Sequence, residues 1–349
     1  MPRERVELVE KDAPPFVSVV IPCRNERRFI RACLESVLKM DYPRERMEII
    51  VSDGMSRDGT RDILDDYQRR YPSLIRTINN EKLLSASAMN RGIESAKGAI
   101  IVRLDAHSVY EKDYVTRSVD LLARTGAANV GGVRKPSALG RGVVDRAISV
   151  VTSSAFGVGP ARYRFATEIT DVDTVPCGTF RRRIFDMVGY FDERLVRNQD
   201  NELNARIRRA GERVVMSPEI RATYYNRLGL IEFVRTAFVT GLWNVYTLQV
   251  NRHAFRVRHF VPGLLTLWIL GGAAAALALG VVSWWIAPLV VYLFGVLLAS
   301  VQGARRQGVF VGLVLPTLFM TYHLAYGLGE VVGAIRFLIG QSPVSRSGA

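Results

Sequence analysis

Three short polar segments carry residue types that could do chemistry. Asp53 is followed by Gly54, Asp105 is followed two positions later by His107, and a third segment reads Pro22-Cys23-Arg24-Asn25-Glu26. Carboxylate and imidazole groups ligate divalent cations, and carboxylates also accept hydrogen bonds from nucleotide hydroxyl and base groups. These segments are therefore candidates for one site that holds a nucleotide and its metal ion.

Each of these segments follows a predicted strand. Short runs rich in valine and isoleucine predict buried strands at residues 17–21, 48–52 and 100–104. Helical spacing of apolar residues predicts helices at residues 27–39, 57–71 and 85–96. This alternation predicts an α/β fold with a mostly parallel sheet, whose ligands bind beyond the carboxyl ends of the strands.

Four runs occur in an order that resembles the motifs of the family 2 glycosyltransferases: VSVVIPCRNE, VSDGMSRDGT, IVRLDAH and NQDNELNARIRRAG. The resemblance covers about residues 16–225, and the apolar tail is similar to that of exopolysaccharide-type members, including the ExoA-like succinoglycan enzymes. It implies the GT-A fold of nucleotide-diphospho-sugar transferases, with a nucleotide-binding α/β half, an acidic metal-binding motif and a general base on the acceptor side.

By this resemblance, Pro22, Glu26 and Asp53 would contact the donor nucleotide, with Asp53 accepting hydrogen bonds from uracil or ribose. A structural alternative stays open, because Asp53 could stabilise its turn and Glu26 could cap the helix that starts at Arg27. Asp58 fits such a helix-capping role better than a ligand role.

Asp105 and His107 stand where the family usually has Asp-x-Asp, which implies a divalent cation, Mg²⁺ or Mn²⁺, on the donor diphosphate. Histidine departs from that pattern. Neutral imidazole can ligate Mn²⁺, whereas Mg²⁺ prefers oxygen ligands. Alternatively, His107 hydrogen-bonds a phosphate and Asp105 alone holds the metal.

Asp200, in the NQDNE run, matches the position of the family's general base. In an inverting transfer this carboxylate would remove the proton of the acceptor hydroxyl as the oxygen attacks the anomeric carbon. The alternative is that Asp200 and Glu202 only favour the start of a helix predicted at residues 201–210. No Gln-x-x-Arg-Trp run follows Asp200, which favours single-sugar addition over processive synthesis.

The C-terminal part is apolar, with no charged residue between Phe260 and Ala304. Spanning helices are predicted at residues 261–282 and 285–303, and residues 307–329 are long enough for a third. Basic residues at 252–259 and at Arg305-Arg306 should face the cytoplasm. We therefore expect a multi-pass protein of the inner (cytoplasmic) membrane whose catalytic domain is cytoplasmic.

These patterns divide the chain into a GT-A domain (1–228), interfacial or linker helices (229–259) and a transmembrane region (260–340). Residues 228–246 could lie on the bilayer or pack in the core. The formal net charge of +14 suits anionic lipid or phosphate ligands, and the basic residues are too scattered for nucleic-acid recognition. Cys23, Cys33 and Cys177 are widely spaced, which predicts buried thiols.

The sequence predicts an inverting, metal-dependent glycosyltransferase of exopolysaccharide biosynthesis. It would move a single sugar, glucose from UDP-glucose by resemblance, to a polyprenyl-diphosphate-linked saccharide. One alternative is a polyprenyl-monophosphate sugar synthase, in which a phosphate oxygen attacks and needs little general-base help. An alternative of another class is a non-catalytic membrane protein that binds nucleotide or glycan.

Overall fold

The computed structural model describes residues 13–138, 140, 142–159, 166–226, 229–280 and 282–341. Within these residues, the strands are β1 (Val17–Cys23), β2 (Met47–Asp53), β3 (Ile75–Asn79), β4 (Ile100–Arg103), β5 (Ser108–Tyr110), β6 (Asn129–Ala138), β7 (Thr170–Asp171), β8 (Thr179–Arg181) and β9 (Val214–Asn226). They form one sheet in the order β3-β2-β1-β4-β8-β6-β9-β5, with β7 beside β9.

Helices cover the sheet and continue into the C-terminal part. They are α1 (Ile30–Leu38), α2 (Thr60–Arg70), α3 (Ser85–Ser95), α4 (Tyr114–Thr125), α5 (Val143–Ser153), α6 (Ala155–Val158), α7 (Arg183–Val188), α8 (Gln199–Arg209), α9 (Leu230–Val250), α10 (Val261–Leu279), α11 (Val282–Gln307) and α12 (Val309–Leu338). Short 3₁₀ turns lie at Arg44–Arg46 and Val257–Phe260.

Strands β3, β2, β1 and β4 run parallel, as the alternating pattern predicted. β1 is apolar on both faces because both are covered. Val19 packs into one buried cluster with residues of α1 and α2, and Val20 packs into another with residues of α3. Because both faces of the strand are buried, its sequence is an almost unbroken run of valine and isoleucine rather than an alternation of apolar and polar residues. The strands and helices predicted within residues 17–104 are confirmed to within about three residues at each end.

The second half of the sheet is mixed. Strand β8 pairs antiparallel with both β4 and β6, and β6 pairs parallel with the long β9. A register shift at Gly132 and Val133 lets β9 bulge, and a Cβ at Gly132 would lie 2.0 Å from the carbonyl oxygen of Ile220. This half places β6 near the carboxyl end of β4, so residues far apart in sequence reach one edge of the sheet.

Helix α12 is the centre of the C-terminal helices and packs against α9. The contact is close at two glycines, because a Cβ at Gly241 would lie 2.0 Å from the Tyr326 carbonyl oxygen and one at Gly329 would lie 2.0 Å from that of Phe238. Leu315 and Phe319 of α12 also pack with α5, which precedes α6 in the α/β part. The sequence left open whether residues 228–246 pack or lie on a bilayer; α9 buries one face against α12.

Helices α11 and α12 are long and apolar enough to cross a membrane. The first two helices of the tail separate at Gly280, whose φ of +67° ends α10, rather than between the helices predicted at residues 261–282 and 285–303. Glu330 of α12 is buried and accepts a hydrogen bond of 2.7 Å from the Gly263 N–H at the start of α10. The three cysteines are buried and free, as predicted.

The close contact between α9 and α12 predicts that a side chain at Gly241 would lower the stability of the protein. Replacing Gly241 with alanine should destabilise the protein by about 1–3 kcal/mol, because the new methyl group overlaps a backbone carbonyl of α12. Gly271→Ala in α10 is the matched control, since no atom of the residues that the structure describes lies within 4 Å of its Cβ position. Thermal unfolding in detergent should show a lower Tm for the first variant alone; equal Tm values would contradict this packing.

Candidate active site

A cleft of about 540 Å³ opens where β1, β2 and β4 end, within the usual range of small-molecule sites. Its lining combines the ends of these strands with residues 196–199 and Thr240 of α9. Four predicted site residues line it: Pro22, Glu26, Asp105 and His107. Asp53 and Asp200 lie directly beside lining residues, since Gly54 and Gln199 contribute to the wall.

Asp53 is almost fully buried at the end of β2, and its oxygens contact its own turn. Oδ1 accepts a hydrogen bond of 2.5 Å from the Ser56 hydroxyl, and Oδ2 accepts from the Ser56 N–H at 3.2 Å and lies 3.4 Å from Arg61. These contacts are those of the turn-stabilising alternative. A nucleoside at Asp53 would have to form its hydrogen bonds to carboxylate oxygens that Ser56 and Arg61 already contact.

Asp58 caps the next helix, as its sequence position suggested. Its Oδ1 accepts hydrogen bonds from the N–H and the hydroxyl of Thr60, the first residue of α2, at 3.0 and 2.5 Å. Its Oδ2 accepts from the Arg27 N–H at 3.1 Å, which joins this turn to the segment after β1. These hydrogen bonds outweigh the opposing effect of burial and lower the pKa of Asp58.

Glu26 and His107 contact each other across the cleft floor. His107 Nδ1 lies 3.3 Å from Glu26 Oε1, and its ring meets that of Tyr224 edge-on at a centroid distance of 5.8 Å. When Nδ1 carries the proton and donates to Glu26, the lone pair of Nε2 is available to a ligand. A carboxylate behind an imidazole is the usual arrangement that orients a metal-binding histidine.

Asp105 and Asp200 share one buried guanidinium. Arg103 lies 3.3 Å from Asp105 Oδ1 and forms a second ion pair with Asp200 Oδ1. Arg134 adds a contact of 3.0 Å to Asp105 Oδ2, and the Asp105 N–H donates to the Tyr110 hydroxyl at 2.7 Å. Two acidic residues 95 positions apart in sequence are therefore brought to one place by a strand arginine.

The two carboxyl groups differ in acidity. Burial opposes ionisation at Asp105, but Arg134 and Arg103 together hold its pKa well below the usual range. Burial raises the pKa of Asp200, and the neighbouring Asp105 charge adds to that effect while Arg103 counteracts it. The site therefore contains one strongly ionised carboxylate and one that is a stronger base than an ordinary aspartate.

Positive φ angles are concentrated near this cleft. Among the described non-glycine residues, those with φ between 50° and 65° are Asn25, Met55, Leu83, Cys177 and Asn198. The left-handed region costs such residues free energy, so surrounding contacts must hold the loops in place. Asn198, directly before α8, is held by a hydrogen bond of 3.0 Å from its Nδ2 to Asn244 Oδ1 of α9.

Sequence reasoning missed Arg103 and Arg134. A signal for Arg103 existed, because an arginine ends the apolar strand β4 two residues before Asp105 and so points to the same face of the strand. Arg134 has no local signal, since its contact depends on where β6 joins the sheet. Arg206, in the NQDNELNARIRRAG run, pairs with Glu202 at 2.7 Å and donates to backbone carbonyls after α7.

Asp105 and His107, the predicted ligands of a divalent cation, both line the cleft. His107 is oriented by Glu26, and Asp105 is ionised, although it also contacts two guanidinium groups. Within the described ranges, no three His, Cys, Asp or Glu side chains come together as a metal cluster. The remaining ligands would have to come from a diphosphate and water, which is compatible with a cation that binds together with its substrate.

Known proteins resemble this chain in sequence and in fold. The family described as "Glycosyl transferase family 2" matches residues 18–189. The chain is 24% identical over 328 residues, 92% of its length and 98% of the relative, to a Methanococcus voltae protein named dolichyl N-acetyl-alpha-D-glucosaminyl phosphate 3-beta-D-2,3-diacetamido-2,3-dideoxy-beta-D-glucuronosyltransferase. It is 28% identical over 317 residues, 89% and 92% of the two chains, to succinoglycan biosynthesis protein ExoA of Rhizobium meliloti (strain 1021).

Among solved structures, the fold is similar to that of mannosyltransferase PcManGT from Pyrobaculum calidifontis in complex with GDP-Man and Mn²⁺. The TM-score is 0.61 at 19% identity, and the likeness covers 95% of this chain and 89% of that one. The family match contains the segments that supply Pro22, Glu26, Asp53, Asp105 and His107, and the similarity to ExoA extends over most of both chains. The resemblance carried by the motifs is thereby confirmed: residues 18–189 form a family 2 glycosyltransferase domain, and the chain is a glycosyltransferase with a GT-A-like fold.

Proposed function

We propose that this enzyme transfers one sugar, with inversion, from a nucleotide-sugar donor to a hydroxyl of a polyprenyl-diphosphate-linked saccharide during exopolysaccharide assembly. The observation that carries the proposal is the Arg103 bridge between Asp105 and Asp200. A single displacement needs a group at the leaving diphosphate and a base at the incoming hydroxyl, both close to one anomeric carbon. Asp105 and Asp200 are suited to these two tasks.

Asp200 is the general base in this proposal. Its carboxylate takes the proton of the acceptor hydroxyl while the oxygen forms a bond to the anomeric carbon, and the bond to the diphosphate breaks. The raised pKa of Asp200, caused first by burial, makes proton removal more favourable than at an exposed aspartate. Because one displacement suffices, no second carboxylate has to act as a nucleophile.

The donor would lie along the ends of β1, β2 and β4. Pro22 and Glu26 line the cleft there, and Asp53 would meet the nucleoside if its contacts with Ser56 and Arg61 were shared. Arg24 and Arg197 also line the cleft, and their positive charges would attract the negative diphosphate. UDP-glucose is the donor to test first, by resemblance to the succinoglycan enzymes.

Asp105 and His107 would hold a divalent cation on that diphosphate. When bound, such an ion neutralises charge on the leaving nucleoside diphosphate. The solved mannosyltransferase, which contains GDP-Man and Mn²⁺, supports both a nucleotide-sugar donor and a cation here. Nitrogen ligation by His107 would favour Mn²⁺ over Mg²⁺.

A lipid-linked hydroxyl is the acceptor that the site favours. A phosphate oxygen is already ionised and needs no base, so a basic carboxylate at Asp200 favours transfer to a sugar hydroxyl over the polyprenyl-monophosphate alternative. The Methanococcus voltae relative is named for transfer to a dolichyl-phosphate-linked sugar. Helices α11 and α12 would anchor the enzyme in the inner membrane with the catalytic domain in the cytoplasm, where nucleotide sugars are available.

Asp200→Asn should lower turnover by about 10²–10⁴ and leave donor binding nearly unchanged, since asparagine keeps the shape but cannot take the proton. Initial rates with a lipid-linked saccharide and calorimetric donor binding measure the two effects. Asp192→Asn is the matched control, because Asp192 pairs with Arg194 outside the cleft. Near-normal turnover in Asp200→Asn would count against the general-base role and favour the phosphate-acceptor alternative, which needs little general-base help.

Replacing Arg103 with methionine should move the acid limb of the kcat/KM profile to higher pH. Arg103 lowers the pKa of Asp200, so without it the base becomes protonated, and inactive, at a higher pH than in the wild type. Arg213→Met serves as control, because Arg213 pairs with Asp171 at the surface. An acid limb at the same pH in both variants would show that Arg103 does not set the basicity of Asp200.

Chelation should abolish transfer, and added Mn²⁺ should restore it better than Mg²⁺. His107→Asp should shift the ratio of Mg²⁺-supported to Mn²⁺-supported rates toward Mg²⁺, because an oxygen ligand replaces nitrogen. His253→Asp, at an exposed position outside this cleft, should leave the ratio unchanged. Full activity in chelator, or an unaltered ratio in His107→Asp, would remove His107 from the metal site.

A further inference from the structure

A second cavity, of about 450 Å³, lies among the C-terminal helices and α6. Hydrocarbon and aromatic side chains from α6, α10, α11 and α12 form most of its wall, among them Phe156, Pro262, Leu265, Val291 and Tyr322. Its volume falls within the range of ligand sites. None of the residues assigned to sugar transfer lines it.

Two polar side chains in this wall, those of Tyr292 and His323, are hydrogen-bonded within the protein. The Tyr292 hydroxyl lies 3.0 Å from His323 Nδ1, and His323 Nε2 lies 3.0 Å from the Phe156 carbonyl oxygen and 3.2 Å from that of Gly157. Pairing of these groups leaves carbon surface facing the space. A cavity of this kind favours a hydrocarbon ligand over ordered water.

The cavity also has a cationic part and a lateral opening. Arg258 and His259, directly before α10, contribute to its lining, and Arg258 is held by an ion pair with Asp173. Val291 lines the cavity on α11 yet is 72% exposed, so the space opens onto the apolar face of a helix that could span a membrane. A guanidinium beside an apolar cavity that opens sideways matches an amphiphile with an anionic head group.

Two hydrogen bonds connect this cavity to the active site. Tyr326 lines the cavity, and its hydroxyl accepts a hydrogen bond from Asn244 Nδ2 of α9. Asn244 Oδ1 in turn accepts from Asn198 Nδ2, and Asn198 lines the active-site cleft two residues before Asp200. A ligand in the cavity would therefore be connected to the segment of the proposed base through Asn244 of α9.

We propose that this cavity binds the first isoprene units of the polyprenyl carrier, with the carrier's phosphate at Arg258 and the rest of the chain leaving along α11. The inference rests on the proposed function, because that function names a polyprenyl-linked acceptor. It adds the place on the chain where the carrier is recognised. The saccharide beyond the phosphate would then extend past α9 toward the cleft.

Photo-crosslinking of the full-length protein in nanodiscs tests the site directly, with a polyprenyl phosphate that carries a diazirine in its first isoprene units. Leu265→Trp should lower labelling by about tenfold or more, because the indole fills the space that the chain would occupy. Leu264→Trp is the matched control, since Leu264 is 60% exposed on the same helix and does not line the cavity. Labelled peptides should come from α11 and α12.

Arg258→Gln provides a second variant that does not depend on overpacking. It should weaken labelling by the polyprenyl phosphate and leave labelling by the corresponding polyprenol unchanged, because only the phosphate needs the guanidinium. In enzymatic assays, Leu265→Trp should raise KM for a polyprenyl-linked saccharide while kcat for a short-chain acceptor stays normal. Normal donor binding in both variants would show that they are folded.

The outcomes separate the two proposals. Equal labelling of Leu265→Trp and Leu264→Trp, or equal labelling of the wild type by a diazirine phospholipid, would overturn the carrier site even if transfer to a lipid-linked acceptor is observed. Selective labelling by polyprenyl phosphate without transfer to any lipid-linked saccharide would support the carrier site and overturn the proposed function.

Discussion

Arg103 holds Asp105 and Asp200 next to each other in a buried place, although two carboxylates at close range repel. The planar guanidinium can donate to both, which a lysine ammonium would do with less directional control. Removing one partner from such a buried network leaves an uncompensated charge, which typically costs about 3–5 kcal/mol. Three parts of the fold position these side chains: the sheet, the loops around the cleft and the apolar tail.

These parts of the fold come from distant segments of the chain. Strand β4 carries Arg103 between a parallel neighbour, β1, and an antiparallel one, β8. Asp200 arrives at the start of α8, and the turn before it depends on Asn198 in a left-handed conformation. That turn is held by Asn244 of α9, and α9 is fixed by its close packing on α12. The apolar tail therefore helps to position the acidic residue proposed as the base.

The parallel half of the fold follows from local sequence. Strands such as β1 are buried on both faces, so their apolar composition alone identifies them. Ligands of parallel sheets bind beyond the carboxyl ends of the strands, and this rule correctly predicted that Pro22, Glu26, Asp105 and His107 line one cleft. Long-range features could not be found this way. The three-residue strand β8 has too little pattern to be recognised, and Arg134 reaches Asp105 only because β6 pairs with β8 and β9. The break at Gly280 was missed because the apolar sequence continues on both sides of this single glycine.

The origin of the cleft's lining also constrains the direction from which an acceptor enters. The segments after β1, β2 and β4 form the part suited to the donor, whereas residues 196–199 and Thr240 form the part next to Asp200. A single displacement requires the incoming hydroxyl and the leaving diphosphate on opposite sides of the anomeric carbon. In the proposed reaction, the acceptor would then approach from the part built on α9, which is the part packed against the apolar tail. A carrier lipid in the bilayer would reach the proposed base from that side, while a soluble nucleotide sugar would enter along the ends of the strands.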